Sequence, residues 1–233
     1  IWYRGKSTGS YLFQTYNVAG AGIGTNGGTN LIPPMQAFWV RVTSGTGSIG
    51  LTINDRDHLD QSVSTNRLKS PKVDERTIVR LQVSNGINTD ETVIYTDAEA
   101  SNNIDQFDSN KMFNNNTAVP EIYTVLGSEK LAINGYNTIS PNQEIAVGFK
   151  TTSANSFTIK ASELKNLISD TKVILVDKSQ GNTEFDLSAG ESYSFTSNVT
   201  DNNTRFSIIY KSAAATTDLA SLNSTNAKVY VNA

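Results

Sequence analysis

The sequence has 233 residues, 37% hydrophobic and 18% charged, and its 19 Lys and Arg against 22 Asp and Glu leave a formal net charge of -3. That balance supplies no basic field for nucleic acid or anionic lipid, and the absence of Cys excludes disulfides, thiolate nucleophiles and Cys-bound zinc. The length suits one large all-β domain or two smaller ones, and no apolar stretch approaches the roughly 20 residues that cross a bilayer as a helix.

The chain opens on Ile1-Trp2-Tyr3-Arg4, which reads as a strand already under way. It carries no charged leader followed by an apolar segment, so it reads as a piece of a longer secreted protein, with its export signal and further strands upstream. Gly20 to Gly28 is rich in glycine but lacks the Gly-Lys-Ser/Thr of a phosphate loop; it reads as a strand connection. Ala37-Phe38-Trp39-Val40 is continuously apolar and predicts a central strand covered on both faces.

Alternation of apolar and polar residues then predicts strands through Ile49/Leu51/Ile53, Ile78 to Val83, Ile145/Val147/Phe149, Phe157/Ile159, Tyr193/Phe195 and Phe206/Ile208/Tyr210. In the clearest of these, Val79, Leu81 and Val83 face one side and Arg80 and Gln82 the other. Turns are expected where Gly and Asn tolerate positive φ: Gly24 to Gly28, Ser44 to Gly47, Asn85-Gly86, Asn134-Gly135 and Gly181-Asn182. Leu164, Leu167 and Ile168, with Ser162 as N-cap, have the spacing of one short helix over Ser162 to Asp170. Val173-Ile174-Leu175-Val176 predicts a second strand buried on both faces. The pattern as a whole is an all-β antiparallel β-sandwich, jelly-roll-like, over residues 1–211, divisible into subdomains 1–70 and 71–211. Residues 212–227 read as a polar linker, and residues 228–233 as the first strand of a further module.

Several segments, taken in order, carry a family resemblance. They are Ile32 to Arg41, Arg80-Leu81, Asp105 through Asp108 to Lys111, Ile122-Tyr123, Leu131 to Gly135, Asp186-Leu187, Tyr193 to Phe195 and Arg205-Phe206. Their order resembles the region preceding the C-terminal sorting domain in cargo of the type IX secretion system of the Bacteroidota. The tail adds to it: Val229, Tyr230 and Asn232 are similar to the opening of a type A sorting domain, Val-Tyr-Pro-Asn-Pro, with Val231 and Ala233 at the proline positions. The resemblance implies an extracellular or cell-surface location, with the translocon and its shuttle protein as partners through the sorting domain.

For chemistry, the only histidine is His58, which would have to serve any Ser-His-Asp arrangement; it reads instead as a polar loop residue. Carboxylate pairs such as Asp55/Asp57, Asp90/Glu91, Asp97/Glu99, Asp105/Asp108 and Glu184/Asp186 offer the groups a glycoside hydrolase needs, but more simply they cap turns. The run Asn102 to Asn110 is the densest oxygen cluster, and Asp105 and Asp108 are its candidate ligands for a structural calcium ion. Trp2 and Tyr136 are the candidate rings for stacking on a sugar, Tyr136 because it follows the expected turn at Asn134-Gly135. The Asn-x-Ser/Thr sequons at Asn115, Asn198, Asn202 and Asn223 are what so Asn- and Thr-rich a chain yields by chance. The expected function is a non-catalytic structural or adhesive module of an exported cargo protein, with a carbohydrate-binding accessory domain as the alternative and a paired-carboxylate hydrolase third.

Overall fold

A computed structural model describes residues 1–6, 9–20, 22–42, 45–56, 74–115 and 118–212. His58, the boundary near residue 70, the linker and the tail with Val229, Tyr230 and Asn232 lie outside the described residues. The fold is all-β. A small antiparallel sheet is formed by β1 (Trp2–Lys6), β2 (Tyr11–Asn17), β3 (Ile23–Thr25) and β4 (Phe38–Trp39), in the order β3-β2-β1-β4.

The large sheet begins with β5 (Ile78–Ser84), β6 (Thr89–Thr96), the two-residue β7 (Ser109–Asn110), β8 (Glu121–Leu126) and β9 (Glu129–Tyr136). It continues through β10 (Glu144–Thr151), β11 (Asn155–Lys165), β12 (Thr171–Asp177), β13 (Thr183–Asp186), β14 (Ser192–Ser197) and β15 (Thr200–Ser212). Its order is β13-β12-β15-β10-β8-β9-β6-β5-β11-β14, with β7 hydrogen-bonded to β9. Among the described residues the one parallel pairing is β6 with β9, Val93 opposite Ile133 through Thr96 opposite Tyr136.

Side chains from distant parts of this path meet in one core. Phe149 of β10 lies 5.0 Å from Phe157 of β11 and 5.2 Å from Phe195 of β14, ring centroid to centroid. The sheet therefore curls back on itself into a nearly closed, barrel-like sandwich whose lining is the alternate residues Val79, Leu81 and Val83 together with Val147, Ile159 and Ile208. A second cluster, Ile23, Ile78, Val93, Tyr95, Phe107 and Ile133, fills the space between the small sheet and the other face of β5, β6 and β9. Coverage from both sides makes the middle strands buried at consecutive positions, Leu131 to Tyr136 in β9 and Thr92 to Tyr95 in β6. Burying their apolar groups stabilises the fold by about 25 cal/mol per Å² of surface removed from water.

Four sequence expectations are corrected. The helix over Ser162 to Asp170 is absent: Ser162 to Lys165 finish β11, and the rest is bend and turn. The spacing misleads because Leu164 packs on the main core from the end of β11 and Leu167 from the irregular chain after it, whereas Ile168 is exposed. Ala37 to Val40 is no central strand. Phe38 and Trp39 form the edge strand β4, paired only with β1, and Trp39 and Val40 are exposed. Ile49, Leu51 and Ile53 lie in exposed irregular chain and a single 3-10 turn, Ile53–Asp55.

Asn134-Gly135, finally, lies inside β9 rather than in a turn. Gly135 is required there by close approach: a Cβ would sit 2.9 Å from that of Phe107. Val173 to Val176 is buried on both faces as expected, in β12, although β12 stands next to the sheet's edge strand β13. The expected turn at Asn26-Gly27 has φ of 55° and 79°, a geometry that Asn and Gly tolerate with little strain. No helix among the described residues is long and apolar enough to cross a membrane.

Candidate functional site

The residues chosen from sequence for sugar stacking are not at the surface. Trp2 is buried, its indole Nε1 donating to the Asn110 carbonyl at 2.9 Å and so fastening the small sheet beside β7. Tyr136 is buried in the main core, with its hydroxyl accepting from Asn134 Nδ2 at 3.3 Å. Its pKa is raised by burial. Both candidates are therefore corrected: a ring enclosed by protein cannot stack on a ligand. The strand position of Asn134-Gly135 removes the turn that was expected to expose Tyr136.

Asp105 and Asp108 do come together, as parts of one backbone cage. Asp105 accepts from Ser101 N and Phe107 N, each at 2.7 Å, and Asp108 accepts from Asp105 N and Gly135 N, each at 2.9 Å. All four carboxylate oxygens thus receive amide hydrogens, the work of loop capping. Burial pushes the Asp108 carboxyl up to about 6, against the pull of those two amides. Among the described residues no group of three or more His, Asp or Glu side chains is placed to hold a metal ion. Of the other carboxylate pairs, Glu184 and Asp186 of β13 bind Lys211 and Lys172.

Three arrangements that sequence reasoning missed carry more chemistry. The first is a buried polar knot where the small sheet meets β6 and β8. Lys111 Nζ contacts Asp90 Oδ2, and the two side chains are 3% and 0% exposed. Asn26 Nδ2 donates to Asp90 Oδ1 at 2.9 Å, and Ile122 N to Asp90 Oδ2 at 2.9 Å. Glu121, one residue before Ile122, is equally enclosed and accepts from Asn114 N at 2.6 Å and Asn114 Nδ2 at 2.9 Å. Its pKa is raised by burial, with the Lys111 charge opposing and the Asp90 charge assisting. These groups come from four separate segments, so no spacing in the sequence could join them.

The second arrangement is an aromatic and cationic rim on the outer end of the small sheet. The pairing of Trp2 with both Trp39 and Thr15, and of Arg4 with Phe13, places Arg4, Tyr11, Phe13 and Trp39 on one face. Trp39 packs edge-on to Phe13 at 5.3 Å, and the Arg4 guanidinium sits 4.9 Å from the Phe13 ring centre. Trp39 is 42% and Tyr11 61% exposed. Arg41 extends the rim and reaches Asn110 and Glu129. The third is a cavity of about 360 Å³ at one end of the barrel, bounded by Thr77, Thr96, Ile139, Leu167, Ile168 and Tyr210.

Fold and geometry together define an all-β module that encloses two ion pairs, Lys111 with Asp90 and Arg205 with Asp177, and whose most exposed aromatic rings among the described residues, Tyr11 and Trp39, lie on the small sheet. The chain belongs to the family described as a domain of unknown function, DUF8693, whose model matches residues 3–210. No curated protein and no solved structure matches it.

Proposed function

We propose that this chain is a non-catalytic structural and adhesive β-sandwich module of a secreted or cell-surface protein, exported as cargo of the type IX secretion system. The rim of Arg4, Tyr11, Phe13 and Trp39 is the observation that carries the adhesive part: Tyr11 and Trp39 are exposed there, next to the partly covered Phe13 ring and Arg4 guanidinium. Such a mixture is over-represented where proteins make contacts, because rings and guanidinium groups offer large contact area with directional polar edges. The export part rests on the resemblance of the ordered segments from Ile32 to Phe206 and of Val229, Tyr230 and Asn232 to the sorting-signal region. In that role the translocon and its shuttle protein read the sorting domain, and the sandwich rides as a folded stalk.

The export role is tested by appending a type A sorting domain to the chain in a Bacteroidota host. Arrival in the medium or on the outer surface is expected, and retention in the periplasm with an intact signal would reject it. A second reading, a carbohydrate-binding accessory domain, is favoured by the half-exposed Trp39 ring beside Arg4 and Arg41. A glycan array separates the two: sugar binding lost in Trp39→Ala but kept in Tyr136→Phe supports the second reading, and silence across the array leaves protein adhesion.

A further inference from the structure

Among the described residues two ion pairs are buried on both sides, Arg205 with Asp177 and Lys111 with Asp90. They differ in chemistry. A lysine amine that passes its proton to its partner becomes a nucleophile, which a guanidinium does not. Two opposite charges so enclosed are also expensive to maintain, and any reaction that removes both relieves the desolvation.

We infer that Lys111 and Asp90 condense into an intramolecular isopeptide bond, with Glu121 as the proton carrier. The geometry supplies each requirement. Nζ already touches the carboxyl it would attack, so the entropy of bringing the reactants together has been spent in folding. Asn26 Nδ2 and Ile122 N, each 2.9 Å from an Asp90 oxygen, are fixed donors aimed where negative charge develops in the tetrahedral intermediate. Glu121 is 4% exposed and precedes Ile122, whose amide binds Asp90 Oδ2. Its raised pKa suits a carboxyl that gives and takes a proton.

The step balances without an oxidant or a co-reactant. Proton transfer within the pair gives the neutral amine and the neutral acid. The Nζ lone pair forms a bond to Asp90 Cγ. One Nζ proton passes to Glu121, which returns a proton to the departing Asp90 oxygen. That oxygen leaves as water, the other becomes the amide oxygen, and Glu121 ends as it began. The product ties β6 to the segment after β7, closing a loop between positions 21 apart in sequence.

The test is the intact mass of the purified 233-residue chain under denaturing conditions. The expected mass is lower than that of the sequence by one water. Trypsin should fail to cut at Lys111 and should release residues 81–130 as a single internally linked peptide. Asp90→Ala should run at full sequence mass, and Asp90→Asn should lose ammonia instead of water. Glu121→Gln should run at full mass while its circular dichroism stays that of the parent. A wild-type chain at full mass that trypsin cuts at Lys111 overturns the proposal, whether or not any variant folds. Persistence of the water loss in Asp90→Ala also overturns it, and cross-linking in Glu121→Gln at the wild-type rate removes Glu121 from the mechanism.

Discussion

Asp177 holds Arg205 at two points inside the protein: Arg205 Nη2 donates to Oδ2 at 3.0 Å and Nε to Oδ1 at 3.3 Å. The guanidinium lies over two rings that touch each other edge-on, 4.5 Å from the centre of Phe195 and 4.8 Å from that of Phe206. Asp177 also accepts from Tyr193 at 3.1 Å and caps Ser179 N at 2.9 Å. One carboxylate thereby serves the β12 end, β14 and β15. Asp177→Ala strands a buried cation and should destabilise the fold by about 3–5 kcal/mol, read as a lower urea midpoint. The double change Asp177→Leu with Arg205→Met should lose much less. Equal losses would refute the account.

The two tryptophans should behave oppositely. Trp2→Ala removes a buried indole and its hydrogen bond to Asn110, a loss of about 3–5 kcal/mol. Trp39→Ala, on the half-exposed edge strand β4, forfeits its contact with Phe13 and should cost about 1 kcal/mol. Thermal melts of the two variants suffice to check the order.

Gly148 in β10 leaves room for the Tyr123 ring of β8. A Cβ there would lie 2.1 Å from Tyr123 Cε2, and the ring cannot swing aside because its hydroxyl is held by Asp201 at 2.7 Å and Asn203 at 2.8 Å. Gly148→Ala should destabilise by about 1–3 kcal/mol. Gly50→Ala, with nothing within 4 Å of its Cβ position, is the matched control and should be near neutral.

The carboxyl of Asp108 is raised from 3.8 to about 6 by burial. Between those values the folded chain holds a proton that the unfolded chain has released, so this group's contribution falls as pH rises through the interval. Asp108→Asn should flatten that slope, on the order of 1–2 kcal/mol after allowance for solvent screening. Denaturant titrations at pH 4, 5, 6 and 7 compare the two proteins; identical slopes would show that the carboxyl is not raised.

Much of the architecture was legible because a strand with one buried face writes its pattern at every second residue, as in Val79, Leu81 and Val83. The errors have specific causes. Leu164 at the end of β11 and Leu167 just beyond it imitated a helical stripe, and Gly135, which makes way for Phe107, imitated a turn glycine. Apolar composition at Phe38-Trp39 could not reveal that only β1 pairs with it. Site residues were less legible still: Asn134-Gly135 suggests a turn that would expose Tyr136, whereas layers from distant segments bury both Tyr136 and Trp2. The knot of Asp90, Lys111 and Glu121 exists only once β6, β8 and the segment after β7 are assembled.

The parallel alignment of β6 with β9 also sets a temporal order. Two strands running the same way cannot be joined by a tight hairpin, so Val93 meets Ile133 only after the intervening chain has found its own place. Contacts of that separation delay the rate-limiting step of folding. Hydrogen exchange during refolding should therefore protect the β5–β6 and β8–β9 hairpins early and the amides between β6 and β9 late, leaving an interval in which half-assembled sheet edges are open to a passing chaperone.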